Sequence, residues 1–470
     1  MRKSWTALVS FAAAAGVWSG ISQHAVADPP DWAGGQAAVS RLGDRLPAVA
    51  ARNSLSPGQL RSNLLTDPTL LVDTQDQLLY VEPTAEQADA PEAAAIAAAA
   101  AIDPAAAFTL HSRPGSSRVI YLDFDGHTIA NTAWNGKTGG ACYADPYDSD
   151  GVPTAFSQAE LTAIAGVWAR VAEDYAPFDV DVTTVEPGAA AITRSSQSDN
   201  RYGTRVLVTR SMSVCPNGKT LYASVCTGGC GGVAYVGVFD QTGNHAYYQP
   251  ALVFQNGVGS GQKNIAEAGA HEAGHNLGLS HDGNAATAYY SGHGSWAPIM
   301  GVGYYKAITQ WSRGEYAGAN QTQDDLAVIQ SNGARTVRDD YPDNKPQPLS
   351  TSSVATGIIS TRGDIDVFSI TVTQQSTITV TATPAATSPN LDIALTPGWV
   401  GGGPTVNPPS GSISGDIATG MDASLSATVP PGTYTVRVDG GGAPPGADPA
   451  DTGYSDYASL GAYTISLTVT

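Results

Sequence analysis

The stretch His271-Glu272-Ala273-Gly274-His275-Asn276-Leu277-Gly278-Leu279-Ser280-His281-Asp282 decides how the centre of this chain is interpreted. On an α-helix, residues four positions apart share one face, so His271 and His275 can present their imidazole nitrogens to one metal ion. Gly278 allows the left-handed backbone conformation that ends a helix, and the chain can then carry His281 toward the same ion. The stretch therefore predicts a helix, a sharp turn and a three-histidine metal site.

The residue types at this site indicate hydrolysis. Three neutral histidines leave Zn²⁺ with its full charge and an open position, which lowers the pKa of a bound water toward about 7. Glu272 follows the first histidine and is the expected general base. A structural zinc site normally fills all four positions with protein ligands, and this pattern offers three ligands plus a base. Asp282 is expected to hold the turn beneath the metal.

The pattern His-Glu-x-x-His-x-x-Gly-x-x-His-Asp resembles the zinc signature of the metzincin clan of metallopeptidases, and its second half looks most like the adamalysin/reprolysin branch. Segments 121–126 and 310–312 are similar to bacterial secreted members of the clan. The resemblance covers residues 108–338. It implies an α+β metzincin-like catalytic domain, with a mixed twisted sheet plus helices and zinc in the cleft. It also implies that Met300, in Ala297–Gly301, forms an apolar floor under the metal.

The resemblance also implies where a substrate lies. The strand predicted at Gly232–Phe239 would border the cleft, so an extended protein or peptide substrate could pair with its backbone. The candidate cleft residues are Gly232, Val233, Ala234 and Tyr235. Some metzincins carry a Tyr two residues after the Met, whereas this chain has Val302 there. Tyr304 and Tyr305 lie further on and are expected to wall the pocket for the residue after the scissile bond.

Capping boxes predict the starts of two helices. Ser157 and Glu160 precede apolar residues that recur at helical spacing up to Tyr175, and Asn264 with Glu267 would begin the histidine-bearing helix that runs to about Leu277. A last helix is predicted at Thr322–Asn332. A buried strand is predicted at Arg118–Leu122, and further strands are predicted at Phe178–Thr184, Arg205–Thr209 and Ala251–Phe254.

The amino terminus predicts export. Arg2 and Lys3 precede an apolar stretch, and Ala25-Val26-Ala27 supplies a small-residue cleavage site, so residues 1–27 are interpreted as a signal peptide. A membrane anchor is the alternative interpretation. The protein is then secreted and extracellular, where its four cysteines can form two disulfides. Three pairings stay open, although the spacing of Cys226 and Cys230 suits a short-range bond.

Residues 28–107 are interpreted as a pro-segment with an alanine-rich linker, and a helical extension that stays attached is the alternative. Matrix-type metzincins maintain latency through a pro-segment cysteine. No cysteine precedes Cys142 here, so that device is absent. A pro-segment carboxylate could block zinc instead, and Asp73 and Asp76 are the candidates.

After a Pro-rich linker at 339–350, residues 351–470 alternate apolar and polar side chains in several short runs, which predicts an all-β sandwich. The segments 364–368, 390–392 and 431–434 resemble the bacterial pre-peptidase C-terminal domain. Three of its acids, Asp364, Asp366 and Asp392, could bind Ca²⁺. The acids Asp145, Asp148 and Asp150 fit an ordinary acidic turn better than a calcium loop, because the EF-hand spacing fails.

Composition narrows the function further. The 470 residues carry 23 Lys+Arg against 42 Asp+Glu, a net charge of −19, which argues against nucleic-acid and anionic-membrane partners. We therefore predict a secreted zinc-dependent endopeptidase that is made as a precursor. The alternative is an extracellular binding or adhesion protein with a structural zinc site and a β-sandwich binding module. The sequence leaves the oligomeric state open.

Overall fold

The computed structural model describes residues 31–85, 102–352, 354–398, 420–446, 448 and 450–470. The predicted signal peptide and most of the alanine-rich linker lie outside these ranges. Among the helices of the described residues, none combines the length and apolar character that crossing a bilayer requires.

The helices are short apart from two long ones near the centre of the chain. In chain order, α1 to α10 are Gly35–Leu42, Leu46–Arg52, Pro57–Thr66, Asn135–Thr138, Gln158–Asp174, Ala189–Ile192, Leu221–Val225, Gln255–Val258, Gln262–Asn276 and Asp325–Ser331.

The strands fall into an amino-terminal and a carboxy-terminal group. The first group, β1 to β12, is Ala33–Gly34, Leu70–Val72, Leu78–Val81, Arg118–Asp123, His127–Ile129, Cys142–Ala144, Asp181–Thr183, Tyr202–Thr209, Gly232–Tyr235, Ala251–Phe254, Trp296–Pro298 and Ile308–Gln310. The second group, β13 to β20, is Gln347–Pro348, Ala355–Ile359, Asp366–Val372, Ser376–Pro384, Ile393–Gly398, Ala423–Val429, Gly432–Gly440 and Gly461–Val469.

The main sheet has the strand order β1-β2-β3-β9-β10-β8-β4-β7. Strands β7, β4, β8 and β10 run parallel, and β9 runs antiparallel to β10. Strand β3, from the predicted pro-segment, pairs antiparallel with the other side of β9. The sequence predicted that β9 would offer its backbone to a substrate. In the structure the predicted pro-segment already pairs with it.

Helix α5 begins as predicted. The Ser157 hydroxyl accepts from the Glu160 amide, and the Glu160 carboxylate accepts from the Ser157 amide at 2.8 Å. Its buried side chains include Ile164, Ala165 and Val171. Just past its end, the Tyr175 hydroxyl donates to Ala270 O in α9 at 2.9 Å. The long helix that precedes the cleft thus braces the helix that carries the histidines.

The predicted capping box of α9 is wrong. The helix begins after Gly261, and no side chain caps it. The Asn264 amide donates to Val258 O at 3.0 Å, and the Glu267 carboxylate binds the Lys263 ammonium at 2.6 Å. Because Lys263 is buried beside Glu267, this carboxylate neutralises a buried charge and is unavailable to cap the helix.

Two disulfides join Cys142 to Cys215 and Cys226 to Cys230. The predicted number of disulfides and the short-range pair are therefore confirmed. Strand β6, which contains Cys142, is linked in this way to the loop before α7, and all four cysteines pack in one apolar cluster with Trp134.

The carboxy-terminal strands form two four-stranded sheets, β13-β15-β19-β17 and β14-β20-β16-β18. Apart from the short β13, the paired strands run antiparallel. Side chains from both sheets share one core, which includes Phe368, Val380, Val436 and Ile465. The alternating runs in the sequence produce this arrangement because alternate side chains of a strand point to one face.

The sandwich packs against the end of α5. Glu173 Oε1 accepts from the Ala462 amide at 3.2 Å, and the Asn390 amide donates to Asp174 Oδ1 at 2.9 Å. Gln310, in β12, donates to Asn390 O at 2.6 Å. Burial raises the pKa of Glu173 to about 8, so this carboxyl group is largely protonated at neutral pH.

Glu173 predicts a pH dependence of stability. Its pKa rises from 4.5 to about 8 on folding, so the folded chain holds a proton that the unfolded chain releases between these values. The stabilisation is complete below the lower pKa and is lost as the pH rises toward the upper one, by about 1.4 kcal/mol per pH unit. We expect Glu173→Gln to flatten this fall in thermal melts between pH 5 and 8, whereas an unchanged slope would contradict the assignment.

Candidate metal centre

The helix and turn place three imidazoles together. His271 and His275 lie one turn apart on α9, and Gly278 leaves the helix with a φ of +95°. A Cβ on Gly278 would also lie 2.9 Å from Asn332 Nδ2, so both conformation and space favour glycine there. The ring centroids of His271 and His281 are 5.2 Å apart, and those of His275 and His281 are 5.1 Å apart.

A fourth group, the carboxylate of Glu82, lies among the three rings. Its Oε1 is 2.8 Å from His281 Nε2 and 3.2 Å from His275 Nε2. Its Oε2 is 3.7 Å from His271 Nε2, which is too far for a hydrogen bond. One ligand atom from each of the four residues lies within 4.8 Å of all the others, a spacing that can hold one metal ion.

The outer ring nitrogens fix the tautomers of two histidines. His271 Nδ1 faces Ile299 O at 2.8 Å, and His275 Nδ1 faces Leu279 O at 2.8 Å. A carbonyl oxygen only accepts, so Nδ1 carries a proton, and in a ring that ligates a metal Nε2 is then the atom with the free lone pair. Two lone pairs that point at the carboxylate of Glu82 repel it unless a cation lies between them. The donor set therefore fits Zn²⁺.

His281 is held differently. Its Nδ1 lies 2.8 Å from Asp67 Oδ2 and 3.3 Å from the Thr69 hydroxyl. Burial lowers the pKa of His281, but the carboxylates of Glu82 and Asp67 outweigh it and raise this pKa to about 10. Asp67 and Thr69 belong to the predicted pro-segment, so the third histidine is oriented by residues outside the predicted catalytic domain.

Glu272 is fully buried, and neither of its carboxylate oxygens has a hydrogen-bond partner among the described residues. Burial raises its pKa well above the usual range, and the neighbouring carboxylate of Glu82 raises it further. The side chain packs against Gly232, where a Cβ would overlap the carboxylate. The predicted general base therefore faces β9 beside the histidines, with its oxygens unoccupied.

Met300 lies beneath α9. A Cβ added to Gly274 would lie 2.7 Å from Met300 Sδ, so the glycine between the two helical histidines lets the thioether approach. The Asp282 amide donates to Met300 O at 2.8 Å. Asp282 thus holds the turn through its backbone, while its Oδ2 has no hydrogen-bond partner in the described ranges.

The predicted cleft residues lie along β3, which belongs to the predicted pro-segment. Strand β9 pairs with β3 in the register Leu79 to Tyr235 and Val81 to Val233. Tyr304 is buried, whereas Tyr305 is 40% exposed, so only Tyr304 is placed as an inner wall. Its hydroxyl lies near Gly231, the residue that precedes β9.

The candidates Asp73 and Asp76 for the blocking carboxylate are wrong. Asp73 Oδ1 accepts from the amides of Gln75 and Gln77, both at 2.8 Å, and Asp76 pairs with Arg45. Both acids belong to the turn between β2 and β3, where they cap backbone groups or pair on the surface. Glu82, which directly follows β3, lies among the histidines instead.

Two further residues at the site have no signal in the sequence. The Tyr80 ring stacks on His275, with centroids 4.3 Å apart and an interplanar angle of 15°. The Tyr289 ring lies 4.8 Å from that of His281. Both tyrosines come from segments that the motif does not include, so only the fold brings them to the metal centre.

The acidic groups elsewhere behave differently from one another. Asp148 Oδ1 accepts from the amides of Asp150, Gly151 and Val152, as in an acidic turn, and Asp148, Asp150 and Glu160 also lie close enough together to hold a cation. Near the linker, two overlapping acidic clusters could each hold a cation. The first consists of Asp339, Asp340 and Asp366, and the second of Asp339, Asp343 and Asp364. Asp392, the third predicted calcium residue, lies in neither cluster and accepts from the Tyr454 hydroxyl at 3.0 Å.

Residues 181–312 match the family model Reprolysin_5, metallo-peptidase family M12. This segment contains the three histidines, Glu272 and Met300, so it is the part of the chain that is similar to these metallopeptidases. The resemblance drawn from the sequence is confirmed for this part of the chain, and the family implies zinc. No curated protein matches the sequence.

Solved structures resemble a smaller part of the chain. The pre-peptidase C-terminal domain of a collagenase from Bacillus anthracis is 13% identical, covers 27% of this chain and 100% of its own, and has a TM-score of 0.18. PliG from Aeromonas hydrophila, a periplasmic inhibitor of g-type lysozyme, is 13% identical, with coverages of 26% and 94% and a TM-score of 0.16. PliG from Salmonella Typhimurium is 12% identical, with coverages of 27% and 100% and a TM-score of 0.16.

The site predicts one zinc ion per chain. We expect His275→Ala to weaken zinc binding by about 100-fold or more, because a buried ligand is lost and the ring of Tyr80 loses its neighbour. Elemental analysis after dialysis against a competing chelator measures this. The control is His111→Gln, a partly exposed histidine that pairs with Asp181, and equal zinc retention by both variants would contradict the assignment.

Proposed function

We propose that this protein is a secreted zinc-dependent endopeptidase, made as a precursor, in which Glu272 is the general base. The observation that carries the proposal is the fully buried Glu272 carboxylate, which lacks any partner among the described residues and lies beside three converging imidazoles. Burying a carboxyl group without hydrogen-bond partners costs about 2 kcal/mol or more. A site whose zinc is only structural gains nothing that would offset this cost.

In the proposed reaction, each group of residues at the site has a separate role. His271, His275 and His281 would hold zinc, which when bound supplies Lewis acidity that polarises a carbonyl group and favours ionisation of a water. Glu272 accepts the proton of the attacking water. It then delivers that proton to the leaving amine. The backbone of β9 would hold an extended substrate by strand pairing.

The arrangement of β9 supports this use of its edge. The residues Gly232 to Tyr235 are buried, and β3 pairs with their backbone in an extended, antiparallel register. A peptide that takes the place of β3 would pass directly over the histidines, as Tyr80 and Glu82 do. The cleft is therefore suited to an internal segment of a polypeptide, which favours endopeptidase activity.

The alternative is a binding or adhesion protein with a structural zinc site. Glu82 gives this alternative some support, because three histidines and one carboxylate would fill all four coordination positions of a structural zinc ion. Two features argue against it. The unpartnered Glu272 has no role in a closed site, and the fourth group comes from the predicted pro-segment, across an alanine-rich linker from the rest of the centre.

Export and processing rest on separate observations. The predicted signal peptide and the two disulfides support a protein that matures in an oxidising compartment. The precursor form is supported by β3, which covers the substrate edge of β9 and would have to leave before a substrate could bind.

Glu272→Gln tests the function. In protein from which the pro-segment has been removed, we expect cleavage to fall by about 10² to 10⁴, because the base is lost while the three zinc ligands remain. Mass spectrometry of fragments from a mixed protein substrate, with and without a zinc chelator, measures cleavage, and elemental analysis measures zinc. The control Glu186→Gln changes an exposed glutamate on Arg205. Undiminished cleavage by Glu272→Gln would remove its role as base.

We also propose that Ca²⁺ binds near the linker. Asp366 is fully buried, its Oδ1 has no hydrogen-bond partner in the described part of the chain, and its Oδ2 accepts from the Tyr463 hydroxyl. Burial and the neighbouring acids Asp340 and Asp364 raise its pKa to about 8. A cation with oxygen ligands would relieve this repulsion, and carboxylate oxygens are the ligands Ca²⁺ prefers.

Calcium should therefore stabilise the protein through Asp366. We expect added Ca²⁺ to raise the melting temperature of the unaltered chain, and Asp366→Asn to remove most of that increase, since a bound ligand stabilises only the state that binds it. Asp392→Asn is the control, because Asp392 lies outside both acidic clusters. If added Ca²⁺ leaves the melting temperature of the unaltered chain unchanged, this site is excluded.

A further inference from the structure

We propose that Glu82 is the fourth ligand of the metal in the precursor, so that a pro-segment carboxylate occupies the catalytic position until the pro-segment is removed. This inference rests on the proposed function for the meaning of that position, and it concerns the regulation of the same site.

The backbone on both sides of Glu82 is fixed to the cleft. The Glu82 amide donates to Gly232 O at 2.9 Å, and the Gly231 amide donates to Glu82 O at 2.9 Å. Three residues later the Ala85 amide donates to Gly257 O at 3.1 Å. Glu82 thus continues the pairing of β3 with β9, and its position along the strand is set by backbone bonds that any sequence could form.

The side chain of Glu82 is directed by this register. Because successive side chains of a strand point to opposite faces, Tyr80 and Glu82 share the face that meets the histidines. Tyr80 is buried, and its ring lies over His275 and His281, with centroids 4.3 and 4.1 Å away. Glu82 is equally buried and has its Oε1 between the Nε2 atoms of the same two histidines.

Charge accounts for an acid at this position. Glu82 and Glu272 are both fully buried carboxylates in one centre, and they raise each other's energy unless positive charge lies between them. The neutral tautomers of His271 and His275 supply none, and His281 supplies it only while its Nε2, which faces Glu82 Oε1, keeps a proton that a bound metal would displace. A divalent cation bound by the three histidines supplies it, and Glu82 then becomes an anionic ligand in place of water.

Asp67 adds a second pro-segment contact to the same centre. Its Oδ2 lies 2.8 Å from His281 Nδ1, so the pro-segment holds both the open side of the metal and the outer nitrogen of one ligand. Cutting the chain within residues 86–101 would leave these contacts, which are non-covalent, in place. Release would then require the β3–β9 pairing and the Glu82 contact to break as well.

Cobalt-substituted precursor, with Co²⁺ in place of Zn²⁺, tests the inference through its visible spectrum. Acetohydroxamate is the probe, since it binds a metal only at open positions. We expect the spectrum of the unaltered precursor to change little with acetohydroxamate, and Glu82→Gln to bind it about tenfold more tightly or better, because the binding-competent fraction increases. The unliganded spectrum of Glu82→Gln should also differ, since one anionic ligand is replaced.

The matched control is Asp76→Asn. It removes another carboxylate from the same hairpin, one that pairs with the exposed Arg45, and asparagine tolerates the left-handed φ of 61° at this position. This variant should behave as the unaltered precursor. Equal acetohydroxamate affinity for the unaltered precursor and Glu82→Gln, with identical spectra, would overturn the proposal. The pairing of β3 with β9 would then be what blocks the metal centre in the precursor.

A second measurement covers the case in which Glu82→Gln does not fold. A synthetic peptide of residues 67–85 is added to the processed, cobalt-substituted protein and should displace bound acetohydroxamate, whereas the same peptide with glutamine at position 82 should need about tenfold more. Equal potency of the two peptides would refute the role of the carboxylate. Neither readout depends on proteolysis, so an inactive processed protein with these spectral results would reject the proposed function and leave the ligand assignment standing.

Discussion

The structure depends on the meeting of two imidazole lone pairs with a carboxylate. His271 and His275 each donate a hydrogen bond from Nδ1 to a backbone carbonyl, which leaves Nε2 directed at Glu82. The two imidazole nitrogens and the carboxylate repel each other unless a cation lies among them, so the surrounding fold must hold all three side chains in position. Helix α9, the turn at Gly278 and strand β9 provide this confinement, and each of them is deeply buried.

Much of the centre could be predicted because its chemistry is local. The spacing of His271, His275 and His281 follows from helical geometry and one glycine, so the sequence is enough to place them around an ion. Glu82 contacts His281 across 199 positions, and no local pattern encodes a contact of that range. Asp73 and Asp76 have the right charge, but short-range turn contacts already use their oxygens.

The difference between local patterns and long-range contacts also explains which helix ends and which parts of the sandwich could be predicted from the sequence. Ser157 and Glu160 cap α5 because the buried Glu160 carboxylate serves two amides at once, that of Ser157 with Oε2 and that of Ser149 with Oε1. Glu267 has the same spacing from Asn264, yet the buried Lys263 takes its carboxylate. The strands of the sandwich follow the alternation of their side chains, whereas the contact of Glu173 with Ala462 depends on how the sandwich meets α5, which alternation does not reveal.

Strand β9 is an interior strand of the sheet only while β3 stays beside it. Once β3 departs, four residues of backbone become a solvent-facing sheet margin, and such margins adhere to one another. Because β9 spans only Gly232–Tyr235, two mature molecules could form few bonds along it. Under the proposed function, so short a strand would hold a polypeptide loosely enough to release it and would offer little length for self-association.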